Sequence, residues 1–365
     1  MFSAIDEKYM RRALELAALA MNHATPNPRV GCVIVRDGHV LAEGFTQRPG
    51  EAHAEAHAIK QSRTKNIDLR GATAYVTLEP CNHFGRTPPC SEALIETGVT
   101  RVIAAMQDPN PIVGGHGFQR MRDAGLEVRV GLLEQEAHEI NIGFFKRMIL
   151  GLPWVRAKVA ASIDGRTGLA DGQSKWITSA AAREDGHAWR ARACAIATGS
   201  GTVRHDNPQL LVRGVDTVLP LRQPLRIVFD HIGNLDPNAK VLDGGALVVC
   251  ADTVPPNLPS SVEAVQFPDG RGKIDLPRAL ADIGSRGVNE LHLEAGARLM
   301  GPMIQAGLVD ELLVYLAPKI LGRDAREMFS LPEPLKLAEA LQFEFHDVTR
   351  VGEDVRLILR KARND

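Results

Sequence analysis

Ala52-His53-Ala54-Glu55, followed by Glu79-Pro80-Cys81-Asn82-His83-Phe84-Gly85-Arg86-Thr87-Pro88-Pro89-Cys90, is the part of the 365-residue chain on which the reading turns. One imidazole and two thiolates suit a borderline-soft, tetrahedral metal, zinc above all. Three protein ligands, His53, Cys81 and Cys90, leave a fourth position open for water, which marks a catalytic site rather than a structural one. Zinc lowers the pKa of such a water to roughly 7. Glu55, two residues past the histidine, is placed to take the water's proton and hand it to a departing amine without binding the metal itself. His-x-Glu followed by Pro-Cys-x-x-Cys is the general signature of zinc nucleobase deaminases. Here eight residues separate Cys81 from Cys90. The metal tolerates that longer loop provided Cys90 still opens a helix, whose N-terminal dipole favours the thiolate.

Two duller readings stand beside this one. The cysteines could be unligated core residues. The site could be structural, with His83 or His57 as a fourth ligand; His57 follows His53 by one helical turn. The coincidence of Pro-Cys, a preceding strand and Glu55 favours catalysis, and His57 is then read as a helix-surface residue or one behind the ligands.

Working outward, Met10, Leu14, Ala17, Ala18 and Met21 recur at helical spacing, and Thr25-Pro26-Asn27-Pro28 breaks the helix. Val30 to Val35 and Val40 to Phe45 read as a hairpin around Asp37-Gly38. A helix over 53–62, a strand over 72–78, a helix over 90–97, strands over 101–106 and 127–130 and a helix over 118–124 follow. This alternation predicts an α/β layer with a buried sheet. A single helix is expected over 132–150, stopped by Gly151-Leu152-Pro153, and the domain boundary is placed there, giving domains of residues 1–150 and 151–365. The second half starts afresh. Strands are expected over 155–162, 195–198, 225–229, 246–250, 290–293, 312–316, 343–348 and 355–360, with a helix over 179–192. Residues 252–272, rich in proline, read as a surface excursion.

The motifs Thr25 to Gly31, His53-Ala54-Glu55 and Glu79 to Cys90, with Lys158 to Gly168, Gln173 to Ser179, Thr202 to Pro208 and Glu294 to Gly296, resemble the bifunctional deaminase–reductase family of bacterial riboflavin biosynthesis. The long cysteine loop is a feature of that family, and the resemblance runs along essentially the whole chain. It implies a cytidine-deaminase-like three-layer α/β/α domain followed by a dihydrofolate-reductase-like α/β domain. It implies zinc-dependent deamination of a diaminopyrimidine ribosyl phosphate, then NADPH reduction of ribosyl to ribityl. By matching positions, Asn27, Asn82, His83 and Arg86 would contact the deaminase substrate. An amide suits a heterocycle edge and an arginine suits a phosphate.

Read from its residues alone, the second half says less. It has no Gly-x-Gly-x-x-Gly after a strand, so an ordinary dinucleotide-binding fold is not expected. Leu293-Glu294-Ala295-Gly296-Ala297-Arg298 leaves a strand and opens a helix, a geometry suited to a pyrophosphate but also to a plain turn. The resemblance implies NADPH contacts at Ala160, Trp176, Thr202, Asp206 and the run Gly296, Ala297, Arg298, Leu299, Met300, Gly301 and Pro302. It implies substrate contacts at Ser174, Arg190, Leu210, Arg213 and Glu294. Arg190 and Arg213 would pair on the ribosyl phosphate. Asp206 or Glu294 would supply a proton, unless water does.

Composition sets the outer bounds. The apolar share is 44%, the charged share 24% and the net charge −1, which fits a globular protein and gives no footprint for gripping nucleic acid. Five cysteines in this length argue against a disulfide scaffold and for a reducing, cytoplasmic location. Charges interrupt the N-terminal apolar positions, and no run of 18 apolar residues occurs, so neither a signal peptide nor a membrane span is expected. A small-molecule substrate is expected, and the resemblance implies a homo-oligomer. Two other readings remain open: a tRNA-type base deaminase, and a structural zinc module without turnover.

Overall fold

The computed structural model describes residues 2–82, 89–111, 114–334 and 336–362. The chain divides into two compact units, Met1–Gly151 with Thr217–Arg222, and Leu152–Asp216 with Gln223–Asp365.

The first unit is built on a five-stranded sheet of order β2-β1-β3-β4-β5. Helix α1 (Ala4–Leu19) precedes the hairpin β1 (Gly31–Arg36) and β2 (His39–Phe45); α2 (Ala54–Thr64), β3 (Thr73–Val76), α3 (Cys90–Glu96), β4 (Arg101–Ala104), α4 (His116–Asp123) and β5 (Glu127–Val130) follow. β1 pairs antiparallel with both β2 and β3, while β3, β4 and β5 run parallel. Parallel strands buried on both faces need continuous apolar runs, and Ala74 and Val76 of β3 and Val102, Ile103 and Ala104 of β4 are fully buried. α1 starts in a capping box: Ser3 Oγ accepts from the Asp6 N–H, and Asp6 Oδ2 accepts from the Ser3 N–H.

The expected single helix over 132–150 is two helices, α5 (Glu134–Ile140) and α6 (Ile142–Leu150). Asn141 parts them. Its Oδ1 accepts from the Arg29 N–H at 2.7 Å and its Nδ2 donates to the Arg29 carbonyl at 2.8 Å. That reciprocal pair holds Asn141 at φ −114°, ψ 15°, outside the helical well. A tertiary contact overrides an apolar periodicity that read as unbroken.

The second unit carries a nine-stranded sheet of order β11-β10-β9-β8-β12-β6-β13-β16-β15. Its elements are β6 (Trp154–Ser162), β7 (Arg166–Gly168), α7 (Ala180–Arg192), β8 (Ala195–Gly199), α8 (Ser200–Asp206), β9 (Leu225–Asp230), β10 (Ala246–Cys250), β11 (Val262–Gln266), α9 (Leu276–Ser285), β12 (Glu290–Leu293), α10 (Ala297–Gln305), β13 (Glu311–Ala317), β14 (Arg326–Glu327), β15 (Phe343–Val351) and β16 (Asp354–Lys361). The strands from β11 to β13 are parallel, and β16 and β15 close that side antiparallel. β7 pairs with β14 in a separate ribbon.

The surface excursion expected over 252–272 is corrected in part. Its proline-rich start returns the chain to the sheet, and Val262–Gln266 pairs parallel with β10 as the edge strand. Val262 and Ala264 pack on one face and Val265 on the other, a short alternation that the flanking prolines hid.

Period-two alternation divides the central strands of this sheet. Val155, Ala157, Val159, Leu291 and Leu293 join one apolar core with α9 and α10. Arg156, Lys158, Glu290 and His292 alternate with them on the opposite face. At β6 and β12 one side of the sheet is therefore apolar and the other, beside α7, is charged.

Candidate functional site

In the first unit, His53 is the N-cap of α2 and Cys90 the first residue of α3. Cys81 follows β3 by a short loop. The three ligand atoms all lie within 4.8 Å of one another. His53 Nδ1 is 3.6 Å from Cys81 Sγ and 3.5 Å from Cys90 Sγ. A tetrahedral ion with Zn–S of about 2.3 Å and Zn–N of about 2.0 Å requires S···N edges of about 3.5 Å. The donor set and its spacing therefore fit zinc without rearrangement.

The electrostatics agree. Hydrogen bonds from the Cys90 thiol and from His53 hold the Cys81 thiol at about 4, against the pull of burial. Glu55 is 4% exposed in the first turn of α2. Burial, then the nearby Cys81 sulfur, raises its carboxyl to about 7. A carboxylate with its affinity for protons raised toward neutrality suits a group that accepts and returns one. His57 faces elsewhere: its Nδ1 is 3.0 Å from Gln47 Nε2 and its Nε2 is 3.3 Å from Gln61 Nε2. Asn82 Oδ1 accepts from Ser91 Oγ at 2.8 Å, at the start of α3. Asn27 sits half-buried in the turn before β1, its N–H bonded to the Ala24 carbonyl. His83 and Arg86 lie outside the described residues.

Glu79 was quoted in the motif with no role, and the structure gives it one. Its buried carboxylate accepts from the backbone N–H groups of Gly115 (2.8 Å), Gly117 (2.9 Å), Phe118 (3.2 Å) and Asp108 (3.3 Å). It ties the segment bearing Cys81 to the start of α4. A carboxylate two residues before a ligand cysteine, in an otherwise apolar strand exit, was the available signal.

In the second unit, Arg190 of α7 and Glu294 beyond β12 meet in a two-pronged ion pair. Arg190 Nε is 2.5 Å from Glu294 Oε1 and Nη2 is 2.8 Å from Oε2. Arg190 Nη1 also donates to the Leu211 carbonyl at 3.1 Å. Burial would raise Glu294, but Arg190 and then Lys158 overcome it and hold the carboxyl well below its ordinary range. The expected phosphate pair of Arg190 with Arg213 thus meets an Arg190 fork already filled by Glu294. Arg213 itself is exposed, and its N–H donates to His187 Nδ1 at 3.2 Å. Sequence reasoning passed over Lys158 and His187; a lysine inside the apolar run of β6 was the visible clue to the first.

Several of the remaining expected residues lie on or just after the carboxyl-terminal halves of parallel strands. Ala160 is on β6; Thr202 and Asp206 are on α8, directly after β8. Gly296 is the N-cap of α10, with no side chain bonded to the first-turn N–H groups. A Cβ on Gly296 would come 3.9 Å from Thr202 Oγ1, so the start of α10 and the side of α8 border one cradle. Backbone donors at a helix start beside an unfilled glycine suit the pyrophosphate of a dinucleotide. Ala297 to Pro302 form the body of α10, where Met300 and Gly301 are buried. Trp176 is exposed, with the Arg183 guanidinium 4.3 Å from its ring centroid. Ser174 is half-buried, and Leu210 is buried at φ 52°.

Comparison with known proteins covers both units. Residues 3–106 match the family described as the cytidine and deoxycytidylate deaminase zinc-binding region, and residues 153–357 match the RibD C-terminal domain. The riboflavin biosynthesis protein RibD of Escherichia coli K12 is 47% identical over 365 residues, covering 97% of this chain and 99% of that protein. The RibD of Haemophilus influenzae is 44% identical over 98% of this chain and 97% of its own length. Among solved structures, Acinetobacter baumannii RibD superposes with a TM-score of 0.90 at 40% identity, covering 98% of this chain and 99% of that one. A Thermotoga maritima diaminohydroxyphosphoribosylaminopyrimidine deaminase/5-amino-6-(5-phosphoribosylamino)uracil reductase gives 0.89 at 31%, with the same coverage.

Proposed function

The chain belongs to the RibD family of riboflavin-biosynthesis proteins, and on that premise we infer that it is a bifunctional enzyme, a zinc-dependent deaminase joined to an NADPH-dependent reductase. It deaminates 2,5-diamino-6-(5-phosphoribosylamino)pyrimidin-4(3H)-one to 5-amino-6-(5-phosphoribosylamino)uracil, and then reduces the ribosyl group to ribityl. The observation that carries the first half is the cluster of His53, Cys81 and Cys90 beside buried Glu55. Family membership carries the second, together with the cradle between α8 and α10.

Zinc, held by His53, Cys81 and Cys90, supplies a Lewis acid that makes water a nucleophile at neutral pH. Glu55 takes the proton released in the attack and delivers it to the leaving ammonia. Asn27 and Asn82 hold the pyrimidine edge, and His83 and Arg86 hold the ribosyl phosphate. We assign these steps to residues 1–150 and the reduction to residues 151–365.

In the reductase, NADPH supplies hydride. The α10 start, Gly296 to Pro302, takes its pyrophosphate, with Thr202, Asp206, Ala160 and Trp176 around it. Glu294 is held ionised by Arg190 and Lys158, so it orients the opened ribose, and water supplies the proton that accompanies the hydride. Ser174, Leu210 and Arg213 complete the substrate contacts, Arg213 carrying the exposed charge for the phosphate. A cytoplasmic location and a homo-oligomeric state belong to the same reading; among the described residues no helix is long and apolar enough to cross a membrane.

The test supplies the diaminopyrimidine phosphoribosyl compound and follows ammonia release together with NADPH absorbance. Equal release and consumption are expected. Ammonia without NADPH loss removes the reductase half of the proposal, and deamination of RNA in preference to the nucleotide replaces the substrate.

A further inference from the structure

His292 is fully buried in the middle of β12, between β8 and β6. Its strand neighbours on the same face are Glu290 and, one step beyond the strand, Glu294. Nε2 lies 3.2 Å from Glu294 Oε1, close enough for a slight turn of the ring to complete a hydrogen bond, and among the described residues Nδ1 has no partner. Buried polar groups left unpartnered are rare and call for an explanation.

The surroundings are charged on nearly every side. Across β6, its register partner Arg156 binds Glu290 at 3.0 Å and also pairs with Glu311, with its guanidinium 4.5 Å from the Trp189 ring centroid of α7. Arg192 of α7 reaches the same Glu290 at 2.7 Å. Arg190 of α7 occupies both oxygens of Glu294, and Lys158 of β6 adds its charge to that carboxylate. The register partner on β8, Ile196, is apolar. Glu290 and Glu311 are thus both bound by arginines, and among the described residues Glu294 offers the acceptor that lies within reach of the imidazole.

We propose that His292 is a positioning residue for the reduction: its Nε2–H backs Glu294 Oε1 from inside the sheet, so that the carboxylate keeps one orientation while Arg190 holds it from α7. The inference rests on the reading of Glu294 as a substrate-orienting group. The ring is neutral when it does this, because burial first, with Arg156 and Arg190, disfavours its charged form. Protonation of His292 would place a second cation against Arg190 and Lys158 and pull Glu294 inward, so the reductase loses activity on the acid side through His292.

The experiment uses the full-length, zinc-loaded enzyme and supplies 5-amino-6-(5-phosphoribosylamino)uracil with NADPH. Wild type, His292→Leu, His292→Gln and Glu294→Gln are compared over pH, with deaminase turnover as the check on folding. His292→Leu is expected to lower reductase kcat at least tenfold with the KM for NADPH unchanged. His292→Gln, which keeps a donor at the ε position and cannot titrate, is expected to recover part of that kcat and to lose the acid limb. Wild-type kcat in His292→Leu, with Glu294→Gln inactive, overturns the role of His292 alone. An acid limb unchanged in His292→Gln also overturns it, even where the leucine variant does not fold. Full activity in Glu294→Gln instead removes the reading on which the inference stands.

Discussion

The backbone N–H of Cys90 lies 3.4 Å from Cys81 Sγ, so the residue that opens α3 supplies one sulfur of the candidate zinc cluster and hydrogen-bonds the other. The helix start thereby stabilises negative charge on the Cys81 sulfur, across the long loop that separates the two cysteines. Replacing Cys81 by serine removes the softest part of that arrangement. Zinc content measured by atomic absorption is expected to fall from one per chain to below about a tenth, with deamination lost and NADPH oxidation of the deaminated substrate retained.

In the proposed mechanism Glu55 separates chemistry from metal binding. It is buried beside the cluster and is not one of its three ligands. Glu55→Gln is expected to keep zinc and to lower deaminase kcat by about 100-fold or more, the usual range for removing a positioned acid–base group. Equal kcat in this variant would mean that another group moves the proton.

Glu79 acts on the same site at one remove, through the four N–H groups it gathers from Asp108, Gly115, Gly117 and Phe118. Glu79→Ala frees the Cys81 segment from α4 and leaves those donors unpaired. Groups that orient metal ligands typically contribute 10- to 100-fold in affinity. Competition against a chromophoric chelator should show a loss of about that size, and reductase kcat should not change. A Glu79→Ala enzyme that holds zinc as tightly as wild type would reduce this carboxylate to a loop stabiliser.

That His53, Cys81 and Cys90 gather beside a buried Glu55 was legible because the chemistry they suit demands fixed residue types at short spacing. The two α/β layers were legible because buried strands leave continuous apolar runs. What stayed hidden depends on contacts distant in sequence. The break at Asn141 needs Arg29, more than a hundred residues away, and the Arg190–Glu294 pair joins a helix to a strand end of similar separation. The charged face of β6 and β12 was hidden for another reason: Lys158 and His292 look like interruptions of strands until alternation places them on one side of the sheet.

Asp6 provides a pH-dependent test of the first unit. It is 3% exposed; Oδ1 accepts from Tyr75 Oη at 2.9 Å and from Arg101 Nη1 at 3.2 Å, while Oδ2 closes the capping box with Ser3. Burial opposes its ionised form, but the Ser3, Tyr75 and Arg101 contacts outweigh it and hold the folded pKa below 3.8. Stability from this group is therefore complete above about pH 4, the unfolded value, and is lost as pH falls through the lower folded value. Asp6→Asn should cost about 2 kcal/mol at pH 7, or a melting shift of about 4–8 °C. The difference from wild type should shrink toward zero near pH 2. All three tryptophans, Trp154, Trp176 and Trp189, lie in the second unit, so the shift should appear in far-ultraviolet circular dichroism and not in tryptophan fluorescence.

Gly44 sets how closely α2 approaches the sheet, and through α2 it sets where His53 and Glu55 stand. A Cβ at Gly44 would lie 2.2 Å from the Ala54 carbonyl oxygen and 2.5 Å from the Ala58 N, both backbone atoms that no rotamer change can move aside. Gly44→Ala must therefore push the start of α2 outward, taking with it the imidazole at its N-cap and the carboxylate in its first turn. A displacement of even about 1 Å is enough to cost two orders of magnitude in a positioned catalytic site. The expected outcome is weaker zinc binding together with lower deaminase kcat, while the reductase is unchanged. Glu55→Gln gives the second effect without the first, so measuring both variants separates loss of the acid–base group from displacement of the helix that carries it. Normal zinc affinity in Gly44→Ala would show that the sheet, not α2, absorbs the added methyl group.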